Sequence, residues 1–349
     1  MYNFLNINKS LLKWYKFNKR ILPWRVLSEA KPDPYKIWIS EIMLQQTTVA
    51  TVLKRYESFI SKWKNVNELA NSSIDEILYE WQGLGYYSRA HNIHKTSKII
   101  LNKYNSIFPV NYRDLKSLPG VGEYTASAIL AIAFNKPYMP VDVNISRVIS
   151  RVFAIARPIL NAKKEINIIS KVFLLDGKAG DLAQALMDLG SLVCKPKKPL
   201  CNKCPINSYC IAYNRNIVET LPLIKLKSPK AKKYGYIFLV QKKDGSVMIR
   251  KKKNEGLFKG MMEIPSSPWM QEDLAFEAVK RYAPFKAEWK KTDIRVSYDI
   301  SNFKLELKVF KCVSSINKRG IWVKPGKYEN YAVPSLMKKV FNQLEVKRK

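Results

Sequence analysis

The spacing of apolar side chains changes along the chain from a helical period to a strand period. Up to about residue 224, apolar residues recur three and four positions apart, as they do on the buried face of a helix. Beyond about residue 234 they alternate with polar residues. Segments 236–240 and 247–249 flank a Lys-Asp-Gly turn and predict a hairpin, and 303–309 predicts a later strand. A helix is expected between them, over 272–282.

This change divides the chain into two predicted domains. We expect a mainly α domain over residues 1–224 and an α+β domain over 234–349, and 349 residues are enough for two cores. Segment 225–233 is rich in lysine and contains a proline, which is typical of an exposed linker. The first domain is predicted to begin with an amphipathic helix over 1–25.

Glu41 stands out in a predicted helix over residues 35–46. Its neighbours three and four positions away are Ile37, Trp38, Leu44 and Gln45, so no lysine or arginine lies on that face. A carboxyl group in such surroundings should have a raised pKa and could carry a proton near neutral pH. The alternative is that Glu41 faces solvent, and helix geometry alone does not exclude it.

A tight turn joins two further predicted helices at residues 118–126, Leu-Pro-Gly-Val-Gly-Glu-Tyr-Thr-Ala. Gly120 and Gly122 permit positive φ angles and leave backbone N–H groups uncovered at the start of the second helix. That arrangement suits a phosphate oxygen. An ordinary packing motif between two helices is the alternative.

Asp142 precedes an apolar helical pattern and is therefore a candidate N-cap. A cap aspartate accepts backbone N–H bonds at the positive helix end, so we expect a lowered pKa and an anionic side chain. A purely structural cap is the alternative. A protonated Glu41 with an ionised Asp142 is the pattern expected for acid-assisted cleavage of a glycosidic bond.

The charge of the chain indicates a polyanionic partner. There are 61 Lys and Arg residues against 28 Asp and Glu, which gives a net charge of +33 and a pI near 9.9. Such an excess points to nucleic acid or to an acidic membrane surface. No uncharged run is long enough to span a bilayer, so a cytoplasmic, reducing location is expected.

Four cysteines lie close together with the spacing C-x6-C-x2-C-x5-C. They are Cys194, Cys201, Cys204 and Cys210. In a reducing compartment this spacing predicts a metal site, not disulfides. The spacing alone allows either a four-thiolate zinc site or a [4Fe–4S] cluster.

Taken together, these motifs resemble those of the helix-hairpin-helix DNA glycosylases. The segment Met43-Leu44-Gln45-Gln46-Thr47, the turn at 118–126 and Val141-Asp142-x-Asn144 are similar to the adenine DNA glycosylases of the MutY type. The resemblance implies a helix-hairpin-helix domain with an iron–sulfur loop at 194–210, and a monomer that acts on double-stranded DNA. It also implies excision of adenine opposite 8-oxoguanine or guanine.

The resemblance also implies a role for individual residues. Glu41 would protonate adenine N7, Asp142 would stabilise the sugar cation, and Asn144 would hold Asp142 in place. Tyr124 stands where bifunctional relatives carry a Schiff-base lysine, so strand cleavage should be weak or absent. Gln46 and Tyr86 match positions that insert into the duplex as wedges, and Trp24 and Arg25 match positions in the adenine pocket. Gly120 and Gly122 match the turn that binds a DNA phosphate.

The second half of the chain resembles the Nudix-like C-terminal domain of the same family, notably at residues 256–260 and 262–265. The magnesium-binding glutamates of a catalytic Nudix motif are missing, so a binding module is expected. Two positions depart from the family pattern. Val143 replaces a glycine after the catalytic aspartate, and Ile300-Ser301-Asn302 replaces Phe-Ser-His in the loop that contacts 8-oxoguanine, where Ser301 remains the expected contact.

Two other functions remain compatible with the sequence. One is a bifunctional endonuclease III-like lyase for oxidised pyrimidines, against which Tyr124 and the C-terminal domain count. The other is a non-catalytic iron–sulfur protein that binds DNA through its basic surface. These alternatives differ in whether Glu41 is needed and in whether strands break without added alkali.

Overall fold

The computed structural model describes residues 4–26, 30–174, 177–224, 229–253, 256–313 and 320–346. The chain forms two compact units. The first comprises Met1–Asn71 with Asn92–Lys227, and the second comprises Ser72–His91 with Ser228–Lys349. Residues 225–228 of the predicted linker lie outside the described part of the chain. Across the described ranges, the helices lack the combination of length and apolar character that a membrane crossing requires.

Helices build the first unit, and the predicted fold class is confirmed. The α-helices of the chain, in order, are α1 (Phe4–Asn18), α2 (Pro34–Leu44), α3 (Val49–Lys62), α4 (Val66–Asn71), α5 (Ile74–Glu80), α6 (Ser88–Tyr104), α7 (Tyr112–Ser117), α8 (Glu123–Ala128), α9 (Val143–Val152), α10 (Ile159–Ser170), α11 (Ala179–Leu192), α12 (Ile211–Asn214), α13 (Phe276–Val279) and α14 (Ser335–Val346).

Polar caps fix the start of the helix that carries Glu41 and of the helix that follows it. The Asp33 carboxylate accepts the Tyr35 N–H at 2.9 Å, and Pro34 occupies the first turn of α2, where its missing N–H is not needed. Thr48 caps α3 in the same way. The first helix ends at Asn18, earlier than the predicted residue 25. Just beyond it, the backbone N–H of Arg20 donates to the Asp188 carboxylate at 3.0 Å and not to a carbonyl of the preceding turn.

The core of the first unit lies where α9 and α11 pack together with α1 and α10. Fully buried residues on their facing sides include Ile145, Val148, Leu182, Leu186 and Leu189. A π-helical turn, Ile129–Ala133, continues α8. A Cβ at Gly180 would lie 2.6 Å from the carbonyl oxygen of Ala131, so this glycine lets α11 approach the π-helical turn closely.

A mixed sheet forms the second unit. Its strands are β1 (Ala231–Gln241), β2 (Val247–Lys251), β3 (Met262–Glu263), β4 (Lys290–Asp299), β5 (Phe303–Val313) and β6 (Ile321–Val323). The order is β3-β2-β1-β5-β4, with β6 also paired to β2. Strands β1 and β5 run parallel, and the predicted hairpin of β1 and β2 is antiparallel. Apolar clusters cover both faces of the sheet, one of them under α14.

The predicted helix over 272–282 is wrong in its first half, since only Phe276–Val279 is α-helical and Lys280–Tyr282 is a 3-10 turn. The cause is a tertiary contact. The Tyr236 hydroxyl donates to the Asp273 carboxylate at 2.9 Å and accepts the Leu274 N–H at 2.5 Å. These bonds hold residues 273 and 274 outside the helix.

Candidate active site

Predicted site residues from distant parts of the sequence meet around one cavity of the first unit. The segment after α1, the C-terminal half of α2, the start of α8 and the start of α9 all contribute to its wall. The predicted residues that line it are Trp24, Arg25, Glu41, Gln46, Tyr124, Asp142 and Asn144.

Glu41 lies on α2 and is only 5% exposed. The pKa of Glu41 is raised to about 7. Burial is the main cause and the charge of Asp142 adds to it, whereas a hydrogen bond from Tyr124 and the charge of Arg25 act in the opposite direction. The Oε2 atom is buried with no hydrogen-bond partner. The carboxyl group is therefore half protonated near neutral pH, in agreement with the direction predicted from its helix face.

Asp142 caps α9 as predicted, and its Oδ1 atom accepts the Ile145 N–H at 2.7 Å. The predicted lowering of its pKa is wrong in direction. Burial raises the pKa of Asp142, and this outweighs the lowering by hydrogen bonds from Ile145 and Asn144. Asp142 receives more stabilising donors than Glu41 does, so Glu41 is the carboxyl group that holds a proton more readily.

Asn144 links Asp142 to a buried arginine that sequence analysis did not identify. Its Nδ2 atom donates to Asp142 Oδ2 at 2.7 Å, and its Oδ1 atom accepts from Arg147 Nη2 at 2.8 Å. Arg147 also donates to the carbonyl oxygens of Gly190, at 2.6 Å, and Cys194, at 2.8 Å. A continuous set of hydrogen bonds therefore joins the first cysteine of the loop to the cap aspartate.

Gly190 makes this arrangement sterically possible. A Cβ atom there would lie 2.7 Å from the Cβ of Asn144, closer than real side chains approach. Helix α11 thus contacts the start of α9 through a residue without a side chain. The sequence signal that could have revealed Arg147 is its position, four residues before Arg151, inside the otherwise apolar helical pattern of α9.

Tyr124 lies at the start of α8, half-buried, with its hydroxyl directed to Glu41. Burial raises the pKa of Tyr124 well above its ordinary value, so the phenol stays protonated and can donate. Position 124 supplies no amine. An exposed lysine, Lys163 of α10, does line the cavity, and sequence analysis did not identify it.

Trp24 and Arg25 follow the turn after α1 and form part of the same wall. The Trp24 ring is 6% exposed and packs edge-on against Tyr56, with ring centroids 5.1 Å apart. The Arg25 guanidinium donates through both Nη atoms to Asp188 of α11. Asp188 was also not identified from the sequence.

The glycine-containing turn between α7 and α8 matches its prediction only in part. Gly120 has a φ of +78°, and a Cβ there would lie 2.8 Å from the Cβ of Asn92. Gly122 instead has a φ of −87°, so the expectation of a positive φ is wrong for this residue. Gly122 is exposed, and a Cβ there would meet no atom of the chain within 4 Å.

Both residues expected to act as duplex wedges have left-handed backbone conformations. Gln46 has a φ of 55° just beyond the end of α2, and Tyr86 in the second unit has a φ of 46°. Residues other than glycine adopt this region only when surrounding contacts compensate for the strain. Val143, by contrast, is helical and 74% exposed, so the valine fits where the family carries glycine.

In the second unit, Tyr86 meets the loop predicted to contact the lesion. Its hydroxyl hydrogen-bonds the Ser301 hydroxyl at the tip of the β4–β5 hairpin. Backbone bonds between Ile300 and Phe303 close this tip, leaving Ser301 exposed. The Arg89 guanidinium lies over the Tyr86 ring, 5.7 Å from its centroid.

The four clustered cysteines follow α11 and line a single small cavity. Arg151, 1% exposed, donates to Cys194 Sγ at 3.3 Å and to the carbonyl oxygens of Lys195 and Pro196. Within the described ranges, no group of three or more His, Cys, Asp or Glu side chains is arranged so that it could hold a single metal ion. Cys312 lies apart, buried in the second unit.

Known proteins match this chain along most of its length. Residues 39–173 match the HhH-GPD superfamily of base excision DNA repair proteins, and 236–343 match the NUDIX domain. An adenine DNA glycosylase of Buchnera aphidicola subsp. Schizaphis graminum (strain Sg) is 32% identical over 340 residues, covering 95% of this chain and 96% of the relative. One of Buchnera aphidicola subsp. Baizongia pistaciae (strain Bp) is 39% identical over 265 residues, covering 74% and 72%.

Among solved structures, a thermostable thymine-DNA glycosylase is similar with a TM-score of 0.55 at 30% identity, covering 61% of this chain and 97% of that one. The helical fold, the shared cavity with its two carboxyl groups and the relatives at these identities agree with one another. This chain belongs to the adenine DNA glycosylases, hydrolases of base excision repair in the helix-hairpin-helix superfamily.

Proposed function

We propose that this chain hydrolyses the N-glycosidic bond of adenine in duplex DNA where adenine faces 8-oxoguanine or guanine. The observation that carries the proposal is the cavity shared by Glu41 and Asp142. One carboxyl group is half protonated near neutral pH because its pKa is raised to about 7, and the other accepts hydrogen bonds that favour its anion. Departure of a purine requires both an acid for the base and a stabilised sugar cation.

The two carboxyl groups have separate tasks in this mechanism. Adenine, rotated out of the duplex, enters the cavity beside Trp24 and Arg25, and Glu41 donates its proton to N7 as the bond lengthens. Asp142 stabilises the oxocarbenium-like sugar that develops. Asn144 holds Asp142 through the 2.7 Å bond. Water then adds to the sugar carbon, and the proton that it releases returns to the Glu41 carboxylate.

Tyr124 supports hydrolysis without strand cleavage. A lyase forms an imine between an amine and the sugar aldehyde, and Tyr124 offers a phenol where such an amine would stand. Its hydroxyl instead contributes a hydrogen bond to Glu41. The enzyme is therefore monofunctional in this proposal.

Recognition of the mispair uses both units. Gln46 and Tyr86 insert into the duplex from their left-handed backbone positions, and Ser301 contacts 8-oxoguanine. The hydrogen bond between Tyr86 and Ser301 supports this assignment, because it joins the wedge to the lesion contact. The turn with Gly120 and Gly122 binds a backbone phosphate through its uncovered N–H groups.

The second unit acts as a binding module and not as a nucleotide hydrolase. Glu263 on β3 is 4% exposed and already pairs with Arg250, at 3.3 Å, and with Lys252, at 3.0 Å. Two side-chain cations are thus already paired with this buried carboxylate. This supports the absence of a magnesium-dependent role.

Cys194, Cys201, Cys204 and Cys210 hold a [4Fe–4S] cluster in this proposal. They fit such a group because all four thiols line one cavity and Arg151 directs a donor at Cys194 Sγ, as suits an anionic thiolate. A bound cluster would hold the loop in place, and the loop also carries Lys195, Lys197, Lys198 and Lys203 for contact with phosphate. Purified protein should be yellow-brown with stoichiometric iron, and stoichiometric zinc without iron in anaerobically prepared protein would contradict this.

A single-turnover assay tests the proposed function. Duplexes with A:8-oxoguanine, A:G or an oxidised pyrimidine are incubated with excess enzyme, and each sample is analysed with and without alkali. We expect excision from the two adenine mispairs and alkali-dependent strand breaks. Excision of the oxidised pyrimidine with alkali-independent breaks would instead identify a lyase of the endonuclease III type.

A further inference from the structure

Asp188 is a buried carboxylate that holds two arginines beside the catalytic cavity. It is 0% exposed, and its oxygens accept Arg25 Nη1 at 2.6 Å and Nη2 at 2.9 Å. Arg20 adds its Nε at 2.6 Å and its backbone N–H at 3.0 Å. Both Nη atoms of Arg25 are thus engaged with Asp188 in a bidentate pair, the strongest geometry available to this side chain.

Arg25 is also within electrostatic reach of Glu41. The groups whose interactions shift the pKa of Glu41 are Tyr124 from α8, Asp142 from the start of α9 and Arg25 from the segment after α1, and all three line the same cavity. Among carboxyl groups, Asp188 and Glu41 are the two that raise the pKa of Arg25. The guanidinium therefore has two possible carboxylate partners, and the Oε2 atom of Glu41 has none.

We infer that Asp188 is a positioning residue that keeps the Arg25 guanidinium away from Glu41, so that Glu41 retains the proton it donates to the leaving base. This inference rests on the proposed function, in which Glu41 is the general acid. Asp188 lies on α11 and touches neither the substrate nor the reacting atoms in this scheme.

The physical reason is competition between two anions for one cation. An arginine that pairs with a carboxyl group stabilises its ionised form and lowers its pKa by about 1–3 pH units. Glu41 paired in this way would be ionised at neutral pH and could not act as an acid. Asp188 offers a carboxylate of the same kind in a fully buried position, and Arg20 pairs with that carboxylate as well.

The dependence of the single-turnover excision rate on pH tests this inference, because a loss of packing alone would not move its midpoint. Asp188→Asn should move the midpoint to lower pH, since the released guanidinium pairs with Glu41. At a pH above the midpoint, a decrease of about one pH unit in the pKa of Glu41 reduces the protonated fraction of Glu41 about tenfold. The double variant Asp188→Asn with Arg25→Gln, which lacks the cation, should return the midpoint to the wild-type pH or above it.

Arg20→Gln is the matched control, because it removes a cation from the same carboxylate without removing one that faces Glu41. Its midpoint should equal that of the wild type. Visible absorbance and binding to the A:8-oxoguanine duplex report whether each variant is folded. If Asp188→Asn does not fold, Asp188→Ser, which also lacks the negative charge, takes its place, and its midpoint should likewise move to lower pH.

The outcomes separate this inference from the function on which it depends. An unmoved or raised midpoint in folded Asp188→Asn or Asp188→Ser overturns the role of Asp188. If Glu41→Gln remains as active as the wild type, the proposed acid itself is wrong. Loss of activity in Glu41→Gln together with an unmoved midpoint in Asp188→Asn overturns the positioning role alone.

Discussion

The Nη2 atom of Arg147 lies 2.8 Å from the Oδ1 atom of Asn144, and through this bond the arginine orients the amide that holds Asp142. The same guanidinium donates to the carbonyl oxygen of Cys194. The position of the proposed catalytic aspartate thus depends on the cysteine loop as well as on α9.

Replacing Arg147 should therefore impair chemistry more than it impairs folding. Arg147→Met keeps an unbranched side chain but removes every donor, so Asn144 and Asp142 lose their orientation. We expect slower excision by up to about 10²-fold, the usual consequence of a small misplacement of a reacting group. The measurement is single-turnover excision at equal visible absorbance. Arg157→Met, at a side chain 62% exposed, serves as the control, and a wild-type rate in Arg147→Met would contradict this dependence.

Ser301→Ala should weaken the preference for A:8-oxoguanine over A:G. The proposed contact is one hydrogen bond, whose loss amounts to about 0.5–1.5 kcal/mol. The ratio of excision rates for the two mispairs measures the effect. Asn302→Ala, at the exposed neighbour in the same tip, is the control. An unchanged ratio in Ser301→Ala would show that Ser301 is not the lesion contact.

The wild-type enzyme should leave the DNA strand intact until alkali is added, because Tyr124 offers no amine. Any residual complex trapped by borohydride should disappear in Lys163→Ala, since Lys163 is a lysine that lines the cavity. Tyr124→Lys should gain trapping, because it places an amine at the position used by lyases. Strand breaks that appear in the wild type at the rate of excision, without alkali, would refute a monofunctional mechanism.

Glu41 should make stability depend on pH. Burial raises the pKa of Glu41 from 4.5 to about 7 in the folded state, so the folded protein binds this proton more tightly than the unfolded chain does. Its contribution to stability is present below pH 4.5 and is lost as pH rises through 7. Relative to Glu41→Gln, wild-type unfolding free energy should fall by about 3 kcal/mol across that window. Urea unfolding at a series of pH values measures this, and parallel curves would rule it out.

Sequence analysis predicted local features of the site well. The neighbours of Glu41 along its helix are close in sequence, so their apolar character was sufficient to predict a raised pKa. The cap at Asp142 and the start of α9 are equally local. The expectation of two domains followed from the change in apolar period along the chain.

Features that depend on packing between distant segments were not predicted. The pKa of Asp142 rises because the surrounding helices exclude water, and the sequence around the residue carries no record of that burial. Asp188 is 163 residues from Arg25, so no periodic pattern relates them. The close approach of Gly190 to Asn144 also joins distant segments and was not predicted. Nor was the contact through which Tyr236 keeps residues 273 and 274 out of a helix.

The most direct test of the account is the single-turnover excision rate of Glu41→Gln on the A:8-oxoguanine duplex, measured beside Asp142→Asn and the wild type. Glutamine preserves the shape of the side chain and cannot donate the required proton. We predict that Glu41→Gln binds the mispair as the wild type does and excises adenine at least ~10²-fold more slowly, the typical contribution of general acid catalysis. Excision by Glu41→Gln at the wild-type rate would contradict the account.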